Sequence, residues 1–382
     1  MANNNKHTGP NVPALRFPEF SGEWECKSLG EIGESLIGLT YSPSDVVKEG
    51  GTIVFRSSNI QDGVIDYGDL VRVSKKIKDS IITRDGDLLI CARNGSTRLI
   101  GKNALLKKSD EGQTFGAFMM VFRSIDNRFV HQLLSTKAYS TQVSENLGAR
   151  INQITTRNFA EYTFGMPQTS EEKEKIGTFL ELINDRIETQ SKIIEEQETL
   201  LKSLADRMFS ENQYSCGLSE LVDIVKGKQV NADTLSEEGD YYVMNGGVAP
   251  SGYYSEYNVP AGSISISEGG NSCGYVQFNE KPFWSGGHCY SLRAKSDIVD
   301  YKYLYYFLKA KQSDVMALRI GSGLPNIQKK DIEKFTVSFP SMVQQLRYVK
   351  VLDAVSDQLD AEKSILVLYH KQKEHLLSEM FI

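Results

Sequence analysis

The sequence has no run of 18 apolar residues, so no segment reads as a membrane-spanning helix. Its opening, MANNNKHTGPNVPAL, has no apolar core of the kind a secretory signal carries. The five cysteines (26, 91, 216, 273 and 289) form no CxxC pair and no even framework, which fits unpaired thiols in a reducing cytoplasm. There is no excess of positive charge: 43 Lys and Arg face 49 Asp and Glu, a formal net of −6. That balance argues mildly against a nucleic-acid partner.

Signatures of chemistry are also missing. Gly95-Ser-Thr-Arg-Leu-Ile-Gly101-Lys102-Asn103 resembles a phosphate-binding loop, but the spacing is one residue too long. Asn103 also stands where a Ser or Thr must hold magnesium. His288-Cys289 suggests a nucleophile pair, yet sequence neighbours on a strand point to opposite faces. Cys273, His288 and Cys289 lack zinc-ligand spacing, and no fourth ligand is evident. No Gly-rich cofactor loop follows a strand, and no Asn/Asp-Pro-Pro-Tyr motif occurs. The expectation is a chain that performs no catalysis and holds no metal or cofactor itself.

What is present is a duplication. GARINQITTRNFAEYTFGMP at 148–167 returns as GSGLPNIQKKDIEKFTVSFP at 321–340. Gly148 falls on Gly321, Ile154 on Ile327, Thr163 on Thr336 and Pro167 on Pro340; Arg157 matches Lys330 and Tyr162 matches Phe335. Downstream, Leu180 pairs with Leu352 and Met208-Phe209 with Met380-Phe381. Upstream, Leu29-Gly-Glu-Ile32 resembles Leu218-Ser-Glu-Leu221, and Gly38 falls on Gly227. The 382 residues therefore read as two copies of one α/β unit, each ending in a long helix.

Within each copy, short β-type runs alternate with Gly/Asn/Ser loops. They are Thr52–Arg56, Asp87–Cys91 and Phe118–Phe122, then Tyr241–Met244, Ser263–Ser267 and Cys289–Leu292. A helical stretch follows in each, around Phe129–Ser144 and Tyr301–Leu318. The long helices carry a seam with a mean period of 3.5 residues, the spacing of a coiled coil. In the first it runs through Ile176, Leu180, Ile183, Ile187, Gln190, Ile194, Gln197, Leu201, Leu204 and Met208. In the second it runs through Tyr348, Leu352, Val355, Leu359, Glu362, Leu366, Tyr369, Lys373, Leu376 and Met380. Packing of each helix on its own globule is the competing reading. The expected boundaries are a globule over 1–166, a helix over 167–211, a globule over 212–339 and a helix over 340–382.

The loops are rich in side chains that form hydrogen bonds. The first copy offers Arg56, Ser57 and Asn59; Arg93, Asn94, Ser96, Arg98 and Lys102; and Arg150, Asn152 and Gln153. The second offers Asn245; Ser267, Glu268 and Asn271; Trp284; and Asn326 and Gln328. Arg, Asn and Gln make bidentate contacts to guanine and adenine edges, and flanking glycines admit a phosphate. Plain turn chemistry is the bland alternative for any single loop; recurrence in matching places favours a binding face. Charge is also unevenly spread. Arg72–Lys108 holds ten basic against three acidic residues, whereas 168–211 holds six against eleven. A basic stretch fit for phosphates thus sits in the first copy. The second copy has no equivalent.

On these residues the chain resembles the specificity subunit of a Type I restriction–modification system. The likeness rests on Val12-Pro-Ala-Leu-Arg-Phe-Pro-Glu-Phe with Glu23-Trp24-Glu25, and on Gly86-Asp-Leu-Leu-Ile leading to Asn94-Gly-Ser96. It rests also on the two copy ends, Ile151 to Phe164 and Leu324-Pro-Asn-Ile327 to Phe339, each followed by Pro and a long helix. It spans nearly the whole chain. It implies two α/β target-recognition domains, each reading half of a bipartite double-stranded DNA target, held apart by an antiparallel coiled coil. Two methyltransferase subunits would dock on that coil, and restriction subunits would join them as an ATP-driven nuclease. S-adenosylmethionine, ATP and Mg2+ would belong to those partners. Two departures stand out: Arg150-Ile-Asn152 replaces the second copy's Gly-Leu-Pro, and Glu268 stands for Arg93. A stand-alone DNA-binding module and a protein-interaction scaffold remain as alternatives.

Overall fold

A computed structural model describes every residue except 1–10, 150, 151, 211, 212, 322 and 324. The chain divides into two compact units, Met1–Gln190 with Ile365–Ile382, and Ser191–Ser364. The boundary falls inside both long helices, Ser170–Met208 and Met342–Met380. Each unit therefore holds a globule plus a stretch of each helix.

Both globules repeat one strand order. In unit 1 a four-stranded antiparallel sheet runs Glu34–Ile37, Met119–Arg123, Leu88–Cys91, Asn103–Leu105. In unit 2 it runs Val222–Lys226, Cys289–Ala294, Ser263–Ser267, Val276–Asn279. A second sheet carries a short parallel pair in each unit: Thr52–Phe55 with Thr114–Phe115, and Tyr241–Met244 with Trp284–Ser285. The central strands Leu88–Cys91 and Ser263–Ser267 are buried along their whole length, as continuous core strands must be. The match of Gly38 with Gly227 has a steric cause. A Cβ at either would stand 2.3 Å or 2.1 Å from the carbonyl oxygen of Gly116 or Gly286, so only glycine fits.

The repeated passage closes each globule. Thr155 Oγ1 accepts from Asn158 N at 3.1 Å and caps the short helix Thr156–Glu161; Lys329–Glu333 is its counterpart. Strand Thr163–Met166 then pairs with Glu25–Ser28, as Thr336–Phe339 pairs with Tyr214–Gly217. Each strand runs through Pro167 or Pro340 into a long helix. The two mid-globule helical stretches are each broken in two. The first gives Asn127–Leu133 and Lys137–Ala149, where Thr136 Oγ1 donates to Leu133 O at 2.7 Å and turns the chain. The second gives Tyr301–Ala310 and Gln312–Ala317.

The 3.5-residue seam is buried as its spacing requires. In unit 1, Ile176, Leu180, Ile183, Leu376 and Met380 are buried, with Ile187 and Leu366 half-buried. In unit 2, Ile194, Leu352 and Leu359 are buried, with Leu201, Leu204 and Val355 half-buried. Glu198 pairs with Lys363 at 2.6 Å, while Ala205 and Phe209 share a core with Tyr348 and Leu352; the two segments of unit 2 therefore run in opposite directions. The competing reading is also partly realised. Seam residues merge with globule residues in one core per unit: Ile176 and Leu376 with Trp24 and Phe129, Leu352 and Phe209 with Tyr303.

The opening motif locks onto the start of the first long helix. Arg16 grips the buried Glu172 carboxylate through Nε (2.7 Å) and Nη2 (2.8 Å), and Trp24 Nε1 donates to the same group at 3.2 Å. Lys173 and Asp126 form a second buried pair at 2.6 Å. Among the described residues no helix is long and apolar enough to cross a membrane.

The seam makes a quantitative prediction. Leu352 is 0% exposed, so Leu352→Ala should destabilise the protein by about 2–5 kcal/mol in urea unfolding. Leu368, on the other side of the same helix, is 62% exposed, and Leu368→Ala should change stability by less than about 0.5 kcal/mol. Equal losses would remove the seam as the packed face.

Candidate nucleic-acid interface

In unit 1 three of the predicted loops converge at the end of strand Leu88–Cys91. Phe118, just ahead of the adjacent strand, accepts at its carbonyl from Ala92 N (3.0 Å) and Arg93 N (2.9 Å). Ile154 N donates to Ala92 O at 2.7 Å, and a β-bridge joins Arg93 to Gln153. Asn94 Nδ2 donates to Ser57 Oγ at 3.0 Å, while Asn94 Oδ1 accepts from Ser96 N at 3.0 Å. Residues 57, 93–96 and 153 thus form one face. Arg93, Ser96, Arg98 and Asn152 are exposed on it, and Lys102 Nζ reaches Gln61 Oε1 at 3.4 Å. Arg150 lies outside the described residues.

Two members of the predicted set serve their own loop. Asn59 is fully buried; its Oδ1 accepts from Arg56 N (2.9 Å), and its Nδ2 donates to Asp66 O (3.1 Å) and Asp69 O (2.9 Å). Its amide is consumed by backbone and presents nothing to a ligand. Arg56 holds Asp69 at 2.7 Å. Part of the basic stretch is likewise neutralised: Lys107 lies 3.9 Å from Asp185 and 3.7 Å from Glu188, and Lys108 pairs with Glu111.

Unit 2 builds the same frame. Glu268 N donates to His288 O at 2.9 Å, Ile327 N donates to Glu268 O at 2.8 Å, and a β-bridge joins Gly269 to Asn326. Asn245 Oδ1 accepts from His288 N at 3.1 Å, bringing in the 245–247 loop. Asn271 and Asn326 are exposed, and Gln328 is half-buried. Trp284 Nε1 donates to Lys228 O at 2.8 Å, and its ring meets Tyr254 edge-on with centroids 5.0 Å apart.

Ser267 and Glu268 are corrections. Both are buried: Ser267 is the last residue of a core strand and Glu268 follows it directly. Ser267 Oγ donates to Gly246 O at 2.6 Å. The Glu268 carboxylate takes Lys226 Nζ at 2.6 Å and the Tyr290 hydroxyl at 3.0 Å, and burial pushes that phenol above its ordinary range. Nor does Glu268 stand for Arg93. The hydrogen bonds set Glu268 opposite Ala92, Gly269 opposite Arg93, Asn326 opposite Gln153 and His288 opposite Phe118.

Phe118 and His288 were not among the predicted residues. The signal was available in the Gly116-Ala-Phe118 and Gly286-Gly-His288 spacing, once Gly38 and Gly227 are matched to the glycines they approach. The catalytic look-alikes dissolve. Lys102 runs into strand Asn103–Leu105 rather than a helix, so no phosphate loop forms. His288 is exposed while Cys289 is buried, and burial pushes that thiol up to about 11, far from a nucleophile.

The family model described as Type I restriction modification DNA specificity domain matches residues 21–199 and 214–368. A protein named as a type I specificity subunit in Mycoplasma genitalium is 29% identical over 166 residues, which cover 43% of this chain and 43% of that one. The EcoKI type I restriction enzyme specificity subunit of Escherichia coli K12 is 29% identical over 180 residues, 44% of this chain and 38% of its own. These alignments span less than half the length of the curated relatives. A crystal structure of the S subunit of a Type I restriction–modification system from M. genitalium superposes with a TM-score of 0.71 at 18% identity, covering 97% of this chain and 99% of that one.

The internal role of Asn59 can be tested directly. Asn59→Ala removes three hydrogen bonds made by a fully buried amide and should cost about 1–3 kcal/mol. Asn152→Ala and Asn326→Ala, at exposed positions, should each stay within about 0.5 kcal/mol. Urea denaturation of the three variants separates clamp from surface.

Proposed function

The chain belongs to the Type I restriction–modification DNA specificity family, and from that premise we propose that it reads a bipartite double-stranded DNA target, one half-site per unit. The observation that carries the reading is the recurrence of one loop frame at matching strand ends in both units, 92–96 with 118 and 153, and 268–271 with 288 and 326. A duplicated frame of exposed polar side chains on buried strands suits two separate contacts of one kind. Arg93, Arg98 and Lys102 around the first frame suit phosphate and base contacts, which answers the acidic net charge.

The chain's own part in this reading is recognition, not catalysis. Methyltransferase subunits would dock on the long helices and restriction subunits would join them, bringing S-adenosylmethionine, ATP and Mg2+ to their own sites. Support for a protein partner comes from apolar side chains away from the seam. In unit 2, Val343, Leu346 and Val351 are exposed; in unit 1, Val367 and Leu368 are. Apolar residues on the solvent side of a helix suit a partner surface.

Binding of the chain to duplex DNA across a salt series tests the reading. Affinity should fall steeply as salt rises, and Lys102→Ala should flatten the log–log slope by about one while weakening all sequences alike. Binding that ignores salt and sequence would favour the protein scaffold instead. Co-purification with a methyltransferase subunit separates the assembled reading from a stand-alone DNA-binding module.

A further inference from the structure

The two frames carry different side chains, among them those at the pair of positions held by Arg93 and Phe118 in unit 1. In unit 1 the Arg93 guanidinium carbon lies 5.2 Å from the centroid of the Phe118 ring. Phe118 is 60% exposed, a large apolar ring left in solvent beside the loop. Its carbonyl accepts from the backbone of both Ala92 and Arg93, so ring and guanidinium start from one fixed point. Stacking restrains a side chain that would otherwise sample many rotamers, and it leaves the edge of N–H donors clear. In the major groove, guanine offers O6 and N7 as a pair of acceptors matched to that fork.

At the equivalent place unit 2 has no guanidinium. Gly269 takes the place of Arg93, and His288 that of Phe118. The imidazole Nδ1 stands 3.8 Å from the Glu268 carboxylate, which Lys226 already engages. Space is not what excludes a side chain at Gly269. A Cβ there would meet its nearest neighbours, His288 Nδ1 and Pro325 O, at 3.7 Å and 3.8 Å, ordinary contact distances.

We propose that Arg93, held by Phe118, reads a guanine in the half-site contacted by unit 1, and that unit 2 has no guanine-reading fork at the equivalent place. The inference rests on the DNA-reading assignment above. Arg93 makes the contact; Phe118 is a positioning residue that acts through it.

The test selects bound duplexes from a pool of randomised DNA with the 382-residue chain and sequences them. The wild-type chain should enrich two blocks, one with an invariant guanine. Arg93→Ala should lose the preference at that position alone and bind the wild-type consensus about tenfold or more weakly. Arg93→Lys should keep the salt slope and weaken the guanine preference, because an ammonium reaches O6 and N7 without the planar fork that stacks on Phe118. Phe118→Ala should weaken the guanine preference severalfold, and Phe118→Tyr should retain it. Gly269→Arg with His288→Phe should add a guanine preference to the other block. Two enriched blocks that Arg93→Ala leaves unchanged would overturn the inference while sparing the DNA reading. A folded Gly269→Arg/His288→Phe chain with no new preference would overturn the equivalence of the frames. A wild-type chain that enriches nothing would sink the DNA reading itself.

Discussion

Burial of the apolar seam on the two long helices is the interaction on which the rest of the structure depends. In each unit one core contains both seam residues and globule residues, so neither globule closes without its helices. The seam tolerates polar members: Gln190 is buried, and Lys373 is half-buried with its ammonium pulled below the ordinary range by desolvation. Such residues cost stability but restrict which register can form. In unit 1 the same helix also carries Glu172, buried under Arg16 and Trp24, which ties the start of the described chain to it. Removing Arg16 would strand the buried Glu172 carboxylate, a costly change.

From this base the strands deliver the loops. Leu88–Cys91 and Ser263–Ser267 are held on both sides within their sheets, so the residues that follow them emerge at defined points. The approach of Gly38 to Gly116, and of Gly227 to Gly286, brings Phe118 and His288 to the same corner of each frame. One backbone plan then presents different chemistry: a stacked guanidinium in unit 1, and an imidazole beside a neutralised carboxylate in unit 2.

Much of the fold was legible because its signals are local. The 3.5-residue seam and the core strands depend on short-range periodicity, the duplicated passage on matching short segments, and each appears within a few residues of its expected place. The site was legible only as loops. That Asn59 points inward is set by the carbonyls of Asp66 and Asp69, a choice its neighbours do not reveal. Ser267 and Glu268 look like loop residues because glycines follow them, yet Ser267 completes a buried strand and Glu268, next to it, is buried too. The false pairing of Glu268 with Arg93 has a similar origin. The loops between conserved strands differ in length, so one alignment of the copies does not hold through them, and cross-strand hydrogen bonds were needed to restore the register. Phe118 escaped notice because an aromatic beside a β-type run reads as core, whereas here it stands in solvent.

The central claim is that two copies of one frame each engage their own stretch of DNA. Mapping the modified bases in cells that express the chain with a methyltransferase partner tests it most directly. The account predicts a motif of two short defined blocks separated by a stretch of unspecified bases. A single uninterrupted motif, or modification with no sequence preference, would contradict it.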